Sequence, residues 1–364
     1  MVGTTRRRGK GPISASLFAG TLALAPACAD PPEEAAESEA ETSPLGDIDA
    51  ESEADDGETA TAGDGDGDSD ATDEETGDGD GDGDGEPVDC ANLPLPVVTP
   101  LDGPVGSAGL AFDSSGNMLG SDTQSLFVSN YESGPATLFV PGIGGRGHMV
   151  LLPSGDLAMI TGWEEEVTIV HPDGSADTPM AWFDKPYGMA LDQNGMLLVA
   201  DNNRLYRLDP SNWNAETLLT SQDIPRPRVL AFDADYGSIF VGMESAQDTI
   251  FRVYFDDQGQ LQEPIAWAWL GGVSQPWVDG IAVDECGNVY VAEYWDHTLY
   301  RIGPEGGQAE VLVDWPEVEY GHAVVWGSGV DGWKDTALYL PQPYNSNYVA
   351  EVDLGVRSIH PLLP

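Results

Sequence analysis

Basic residues are scarce in this chain. Its 364 residues include 14 Lys and Arg against 63 Asp and Glu, a formal net charge of -49 at pH 7. Nucleic-acid binding needs a basic face that replaces phosphate counterions, so we predict no nucleic-acid partner. Long hydrophobic runs are also missing. The most apolar segment, ISASLFAGTLAL at 13–24, is too short for a bilayer, which takes about 20 residues, and this argues against a permanent transmembrane helix.

The N-terminus has the pattern of an export signal. Four basic residues between positions 6 and 10 precede the apolar segment, and small residues precede Cys28. This order predicts a signal peptide over residues 1–28. Either Cys28 is the lipid acceptor of a bacterial lipoprotein, which would anchor the protein to a membrane, or the signal is cleaved near Ala27 and the protein is secreted. Both outcomes predict an extracytoplasmic protein.

Residues 29–89 lack hydrophobic periodicity. From residue 30 this segment carries 26 Asp and Glu and no Lys or Arg. High charge with low hydrophobicity predicts a disordered, extended tether. Asp64, Asp66, Asp68 and Glu75 match the spacing of an EF-hand calcium loop, but the Gly of its sharp turn is missing, so the solvated tether is the preferred interpretation.

One pattern occurs six times after residue 90: an apolar strand, a D-x-x-G turn, a second apolar strand, a polar turn and a third strand. The clearest copy is DGIAVDECGNVYVAEYWDHTLYRIGPEG at 279–306. The first strands are predicted to start at Leu110, Met149, Met189, Leu230, Ile281 and Ala323, in steps of 39, 40, 41, 51 and 42 residues. Units of about 40 residues with three or four short strands are typical of propeller blades. The sequence therefore predicts an all-β, six-bladed β-propeller over 90–364. The fourth unit carries an insertion (258–276), which we expect to be a loop.

The residues just before each first strand should face the central channel or its mouth. They are Ala108, His148, Tyr187, Arg228, Asp279 and His322. Asp279, His148 and His322 could form a metal site of two His and one carboxylate, a set that suits zinc or iron. Alternatively, Arg228 and Asp279 could orient a polar organic ligand while Tyr187 and Trp277 stack on it. The simpler possibility is that these are hydrogen-bonded wall residues and inter-blade packing.

Two acidic residues, Asp201 and Glu293, end second strands at matching points. They could act as a general base at the channel mouth or cap solvated turns, and the capping role is the preferred interpretation.

The blade starts carry the motif P-x-G-(apolar)-A-x-D-x-x-G, seen in PYGMALDQNGMLLVAD (186–201) and, with a variant first position, in VDGIAVDECGNVYVAE (278–293). This pattern resembles the senescence marker protein / gluconolactonase family of six-bladed propellers, including its exported lipoprotein-like members. The resemblance implies a lactone hydrolase that holds one divalent cation, calcium or zinc, through a Glu, two Asn and an Asp. Asp279 matches that Asp and would be the catalytic ligand. Tyr187 and Arg228 stand where the Asn residues are expected, and Ala108 or Gly109 where the acidic residue is expected.

The cysteines allow one disulfide. If Cys28 carries lipid, Cys90 and Cys286 are left as a pair in an oxidising compartment. A bridge between them would pin the N-terminal segment to the ring, whereas the alternative is two free thiols.

These observations favour one function over another. The first is an exported, lipid-anchored, monomeric propeller that binds a small-molecule or peptide ligand at the channel mouth and has a degenerate metal site. The alternative is a divalent-metal-dependent hydrolase of lactones or related esters that uses Asp279, His148 and His322.

Overall fold

The computed structural model describes residues 88–360, except 103–108, 132–134, 162–164, 181, 245–246, 273–275, 317–320 and 343–347. The described residues form 25 β-strands and contain no helix that is long and apolar enough to cross a membrane. The predicted signal peptide, Cys28, Ala108 and the linker up to residue 87 lie outside the described residues.

The strands form six sheets, and each sheet is one blade. Blade 1 contains β2 (Leu110–Phe112), β3 (Met118–Ser121), β4 (Ser125–Ser129) and β5 (Thr137–Pro141). Blade 2 contains β6 (Met149–Leu151), β7 (Leu157–Thr161), β8 (Glu166–Val170) and β9 (Ala176–Met180). Blade 3 contains β10 (Gly188–Leu191), β11 (Leu197–Ala200), β12 (Arg204–Asp209) and β13 (Asn214–Thr220). Blade 4 contains β14 (Pro227–Phe232), β15 (Ser238–Met243), β16 (Thr249–Tyr254) and β17 (Ile265–Trp269). Blade 5 contains β18 (Val278–Val283), β19 (Val289–Glu293), β20 (Thr298–Ile302) and β22 (Glu310–Asp314). Blade 6 contains β23 (Val325–Trp326), β24 (Ala337–Gln342), β25 (Tyr348–Asp353) and β1 (Val97–Leu101).

The predicted six-bladed, all-β fold is confirmed, and the innermost strands begin within three residues of the predicted starts. The insertion in the fourth unit is not a loop throughout, because Ile265–Trp269 forms β17, the outer strand of blade 4. This strand also pairs in parallel with β21 (Gly307–Gln308) of the next repeat. The inserted residues therefore extend blade 4 and join it to blade 5.

The two ends of the folded domain close the ring together. β1, from the N-terminal end, pairs antiparallel with β25, from Val97↔Asp353 to Leu101↔Val349. The apolar core is divided into six clusters of buried side chains, and each cluster combines residues from adjacent blades. The sixth cluster joins blade 6 to blade 1 through Phe112, Trp333 and Tyr339. Blade-on-blade packing therefore continues around the whole ring.

The D-x-x-G turn has a local cause in the side chain of its Asp. In blade 5, Oδ1 of Asp284 accepts hydrogen bonds from the backbone N–H groups of Cys286 (2.9 Å) and Asn288 (2.8 Å). Gly287 supplies the left-handed conformation that the turn requires, with φ +78°. An Asp side chain that binds the backbone two residues on is a recognised device for such turns.

In blades 3 and 5, the glycine that precedes the apolar stretch allows neighbouring blades to approach closely at the channel. A Cβ atom on Gly188 would lie 2.4 Å from the backbone oxygen of Arg228, and one on Gly280 would lie 2.7 Å from that of His322. Both distances are shorter than real Cβ contacts, so only glycine fits. This approach brings the side chains beside these glycines close to those of the next blade.

Cys90 and Cys286 form a disulfide, with Cα atoms 5.5 Å apart and a sequence separation of 196 residues. It ties the segment before β1 to the first turn of blade 5. Because β1 is the strand that closes the ring, the bridge restrains the end of the chain on which closure depends.

Replacing both cysteines with serine should lower the free energy of unfolding by about 2–5 kcal/mol, because the cross-link no longer restricts the unfolded chain. Denaturant unfolding of the double variant and of a Cys28→Ser control would measure the difference, and the control should match the unchanged protein. If Cys90 and Cys286 both react with an alkylating reagent in the native, unreduced protein, no bridge exists.

Candidate functional site: a polar cluster in the central channel

Five of the six predicted channel residues meet at one end of the innermost strands. His148, Tyr187, Arg228, Asp279 and His322 come from blades 2 to 6, and each lies at or just before the start of the innermost strand of its blade. The sixth, Ala108, lies outside the described residues. Asp279 is at the centre of the group and its side chain is completely buried.

Both carboxylate oxygens of Asp279 have partners. Oδ1 accepts a hydrogen bond from Nε of Arg228 at 2.7 Å. Oδ2 lies 2.8 Å from Nδ1 of His322 and accepts a hydrogen bond from the Tyr187 hydroxyl at 3.1 Å. The carboxylate is therefore held by three side chains from three other blades.

Arg228 is the second centre of the cluster. Its Nη1 donates to Oε2 of Glu244 at 2.8 Å, so the guanidinium bridges two carboxylates. Its Cζ lies 3.7 Å from the ring centroid of Tyr187 and 5.2 Å from that of Trp277. Both rings therefore stack on Arg228, and the expectation that Tyr187 and Trp277 also stack on a ligand stays a prediction.

The ionisation of the pair follows from burial and charge. Burial alone would raise the pKa of Asp279, but the charge of Arg228 and the hydrogen bonds from His322 and Arg228 lower it to about 2. Burial disfavours the charged form of Arg228, but Asp279, Tyr187 and Glu244 oppose this effect and raise its pKa above the ordinary value. Both groups are therefore charged at neutral pH, and each stabilises the charge of the other.

His148 has the role of a hydrogen-bonded residue of the channel wall, one of the two interpretations that the sequence allowed. Its Nε2–H donates a hydrogen bond of 2.9 Å to the backbone oxygen of Asp279, not to the carboxylate. Burial lowers the pKa of His148, so its ring is neutral at neutral pH. The residue therefore supports the backbone of β18 beneath the ion pair.

A cation held by Asp279, His148 and His322 does not fit this arrangement. The Nε2 atom of His148 is hydrogen-bonded to a backbone carbonyl oxygen. The carboxylate of Asp279 already contacts three donor side chains. In the described part of the chain, no three His, Cys, Asp or Glu residues are grouped so that they could hold a metal ion. A cation would have to displace the guanidinium of Arg228, which is itself a permanent positive charge. Metal binding at this channel stays a prediction for experiment.

An aromatic group extends from the ion pair towards the surface. The ring centroids of Trp277, Tyr294 and Trp295 lie 5.0–5.6 Å from one another, and Trp295 is half exposed. Tyr294 also contacts the ring of His322, with centroids 5.1 Å apart. These rings form a wall of the channel mouth beside Arg228.

Glu293 positions this aromatic wall. One carboxylate oxygen accepts a 2.8 Å hydrogen bond from the backbone N–H of Trp277, and the other accepts one from the N–H of Asp296. Asp201 binds the N–H groups of Asn203 (2.8 Å) and Arg204 (2.7 Å) in the equivalent turn of blade 3. Both acids cap turns, but both are buried, so the expected solvated setting is wrong. Burial raises the pKa of Glu293 to about 7.

The sequence reasoning missed Glu244, Tyr294 and Trp295. Glu244 follows β15, one residue beyond the position at which Glu293 ends β19. A closer comparison of acidic residues after each second strand could have found it. Tyr294 and Trp295 carried no separate signal, because propellers use many aromatic residues for packing between blades.

The sequence comparisons identify a family for part of the chain. Residues 169–331, from the end of β8 in blade 2 to the residues after β23 in blade 6, match the model of the SMP-30/Gluconolactonase/LRE-like region. This region is similar to that family. No curated protein matches the chain at a significant level.

Solved structures with the same fold include members with different activities. A gluconolactonase from Xanthomonas campestris has 15% identity and a TM-score of 0.57, covering 71% of this chain and 89% of its own. A luciferin-regenerating enzyme has 17% identity and a TM-score of 0.55, covering 74% and 100%. An auxiliary nutrient binding protein from Bacteroides thetaiotaomicron has 10% identity and a TM-score of 0.57, covering 72% and 76%. At these identities the likeness shows the fold alone.

Replacing Arg228 with Met should destabilise the protein by about 3–5 kcal/mol at pH 7, because the charge of Asp279 is then buried without its main partner. In the unchanged protein, the lowered pKa of Asp279 stabilises the fold above about pH 4, and this contribution disappears as the pH falls towards 2. In the variant, burial without the guanidinium should raise that pKa, so the difference between the two proteins should grow from pH 2 to pH 7.

Denaturant unfolding across this pH range would measure the effect. Arg301→Met is a matched control, because Arg301 pairs with the exposed Glu310 and should contribute no more than about 1 kcal/mol. Equal losses in the two variants at pH 7 would contradict the role assigned to Arg228.

Proposed function

We propose that this protein is a ligand-binding propeller whose channel site works without a divalent cation. The observation that carries the proposal is the ion pair between Arg228 and Asp279, at 2.7 Å. The guanidinium of Arg228 contacts the carboxylate that, by the family resemblance, would bind the cation. A side chain that is permanently charged and covalently attached gives the site its positive charge.

The chemistry of the mouth indicates the class of ligand. The hydrogen bonds of Arg228 within the described residues use Nε and Nη1, which leaves Nη2 as a donor for a ligand oxygen. The charges of Arg228 and Arg226 balance those of Asp279 and Glu244, so a net charge on the ligand is not required. The rings of Trp277 and Trp295 offer an apolar face. A neutral polyhydroxy compound with one less polar face, such as a sugar or sugar lactone, meets these conditions.

The fold agrees with this proposal but does not decide it. The neighbours named above include both lactone-processing enzymes and a nutrient-binding protein, and one fold commonly supports several functions. The alternative, a metal-dependent hydrolase of lactones or related esters with its site at Asp279, rests on the family match over residues 169–331.

Metal content and activity distinguish the two functions. For the purified full-length protein we expect no stoichiometric divalent metal and no hydrolysis of D-glucono-1,5-lactone that a chelator abolishes. Bound metal together with chelator-sensitive turnover, lost in Asp279→Ala, would establish the hydrolase and contradict our proposal.

Ligand binding can be followed by tryptophan fluorescence with D-glucono-1,5-lactone and its acid, D-gluconate. Trp277→Leu should weaken binding about fivefold, because the ligand loses an aromatic face worth about 1 kcal/mol. Trp269→Leu is the control, since Trp269 is an exposed tryptophan on the outer strand β17. Equal effects of the two substitutions, or no response to either compound, would count against a sugar-like ligand at the mouth.

We further propose that the protein is exported and anchored through Cys28, with residues 29–89 as a tether. The support is the order of basic, apolar and small residues before Cys28 and the acidic composition of the segment after it. In a bacterial host, the protein should partition into the detergent phase of a Triton X-114 extract, and Cys28→Ser should move it to the aqueous phase. Partitioning that does not change in the variant would rule out this anchor.

A further inference from the structure

The central channel also contains a cavity of about 870 Å³. Its lining follows the innermost strands from first residues such as Leu110 and Met149 to last residues such as Phe112, Leu151 and Trp326. Of the polar cluster, His148 lines the cavity, whereas Tyr187, Arg228, Asp279 and His322 do not. The cavity therefore adjoins the polar cluster but is formed mainly by other side chains.

The lining is mostly hydrocarbon. All six blades contribute aliphatic or aromatic side chains from strands that are otherwise packed between blades. Several of these side chains, such as Val150, Leu191 and Ala231, keep partial exposure although they lie on innermost strands. Their exposed surface faces the cavity. Burying such surface under a ligand would be favourable by about 25 cal/mol per Å².

A short segment near the C-terminus borders the cavity. Ile359 donates a backbone hydrogen bond of 3.2 Å to Val283, and Nε2 of His360 donates one of 2.7 Å to the backbone oxygen of Asp233. The ring of His360 stacks on Tyr236 with centroids 4.1 Å apart. These contacts hold a polar edge at the cavity, with Tyr236, Ser358 and His360 among its lining residues.

The charged groups at this cavity are already engaged. Asp192 is the acidic residue in the lining, and its Oδ1 accepts hydrogen bonds from the backbone N–H groups of Asn194 and Met196. Burial lowers the pKa of His360, so this ring is neutral at neutral pH. The carboxylate in the lining is thus held by its own turn, and its negative charge disfavours an anionic ligand.

From the volume, the lining and the polar edge, we infer that this cavity binds one neutral, mostly hydrocarbon small molecule, with its polar group towards Tyr236 and His360. The volume lies within the range of about 300–1,000 Å³ that is usual for small-molecule sites. The cavity is open to solvent on one side, so a small molecule can enter it, and its mostly apolar lining favours a nonpolar compound. This inference does not depend on the function proposed for the polar cluster.

The test uses the uncharged fluorescent probe N-phenyl-1-naphthylamine with the full-length protein. We expect saturable binding of one probe per chain and competition by 1-decanol. Ala231→Trp and Ala190→Phe each add bulk to the cavity from a different blade and should weaken probe binding at least tenfold. Ala266→Trp is the matched control, because Ala266 is exposed on β17 of the same blade as Ala231, and it should leave binding unchanged.

Thermal unfolding shows which of the two cavity variants is folded. Probe binding is then compared between the folded variant and the unchanged protein. Absence of probe binding, or binding that neither folded cavity variant weakens, would overturn the inference. The sequence after His360 is PLLP, which is itself apolar. If the probe binds only to a chain that lacks residues 361–364, the cavity holds this segment and the inference is also overturned.

Discussion

Each blade is apolar on both faces, and this constraint determines the rest of the architecture. A sheet such as blade 5, whose strands β18 and β19 are buried along their entire length, cannot be stable with either face in water. Adjacent blades therefore cover each other, and the six interface clusters are the result. The last interface requires blade 6 to meet blade 1. The pairing of β1 with β25 and the disulfide between Cys90 and Cys286 both hold this closure.

Ring closure explains why charged groups are buried at the channel. The innermost strands approach so closely that only glycine fits at Gly188 and Gly280, and the adjacent side chains have little access to water. A carboxylate at the position of Asp279 would ordinarily lose its charge through burial. It remains charged because Arg228 approaches from the neighbouring blade. The packing of the blades thus creates the need for a positive charge at this point.

The repeat pattern was sufficient to predict the fold, because each blade has the same local signals, including the D-x-x-G turn at Asp284. It also identified the residues that meet in the channel, since they occupy one column of the repeat. It did not predict their contacts. The direction of the His148 ring towards a carbonyl, and the bridge from Arg228 to Glu244, depend on distances between blades. No spacing along the chain encodes those distances.

The charges in the channel connect the family resemblance to the observed site. The resemblance implies two carboxylates and one divalent cation, a set with no net charge. Here Asp279 and Glu244 face Arg228 and Arg226, and this set is also neutral. A divalent cation or the arginine side chains can each balance the charge of the buried carboxylate, so the fold is compatible with a cation or with a guanidinium at this position. A guanidinium, however, can act on a substrate oxygen only through hydrogen bonds and charge, and it cannot coordinate and activate a water molecule as a metal ion does. Stability of the channel and catalysis in it are therefore separate properties, and Arg228 provides the first.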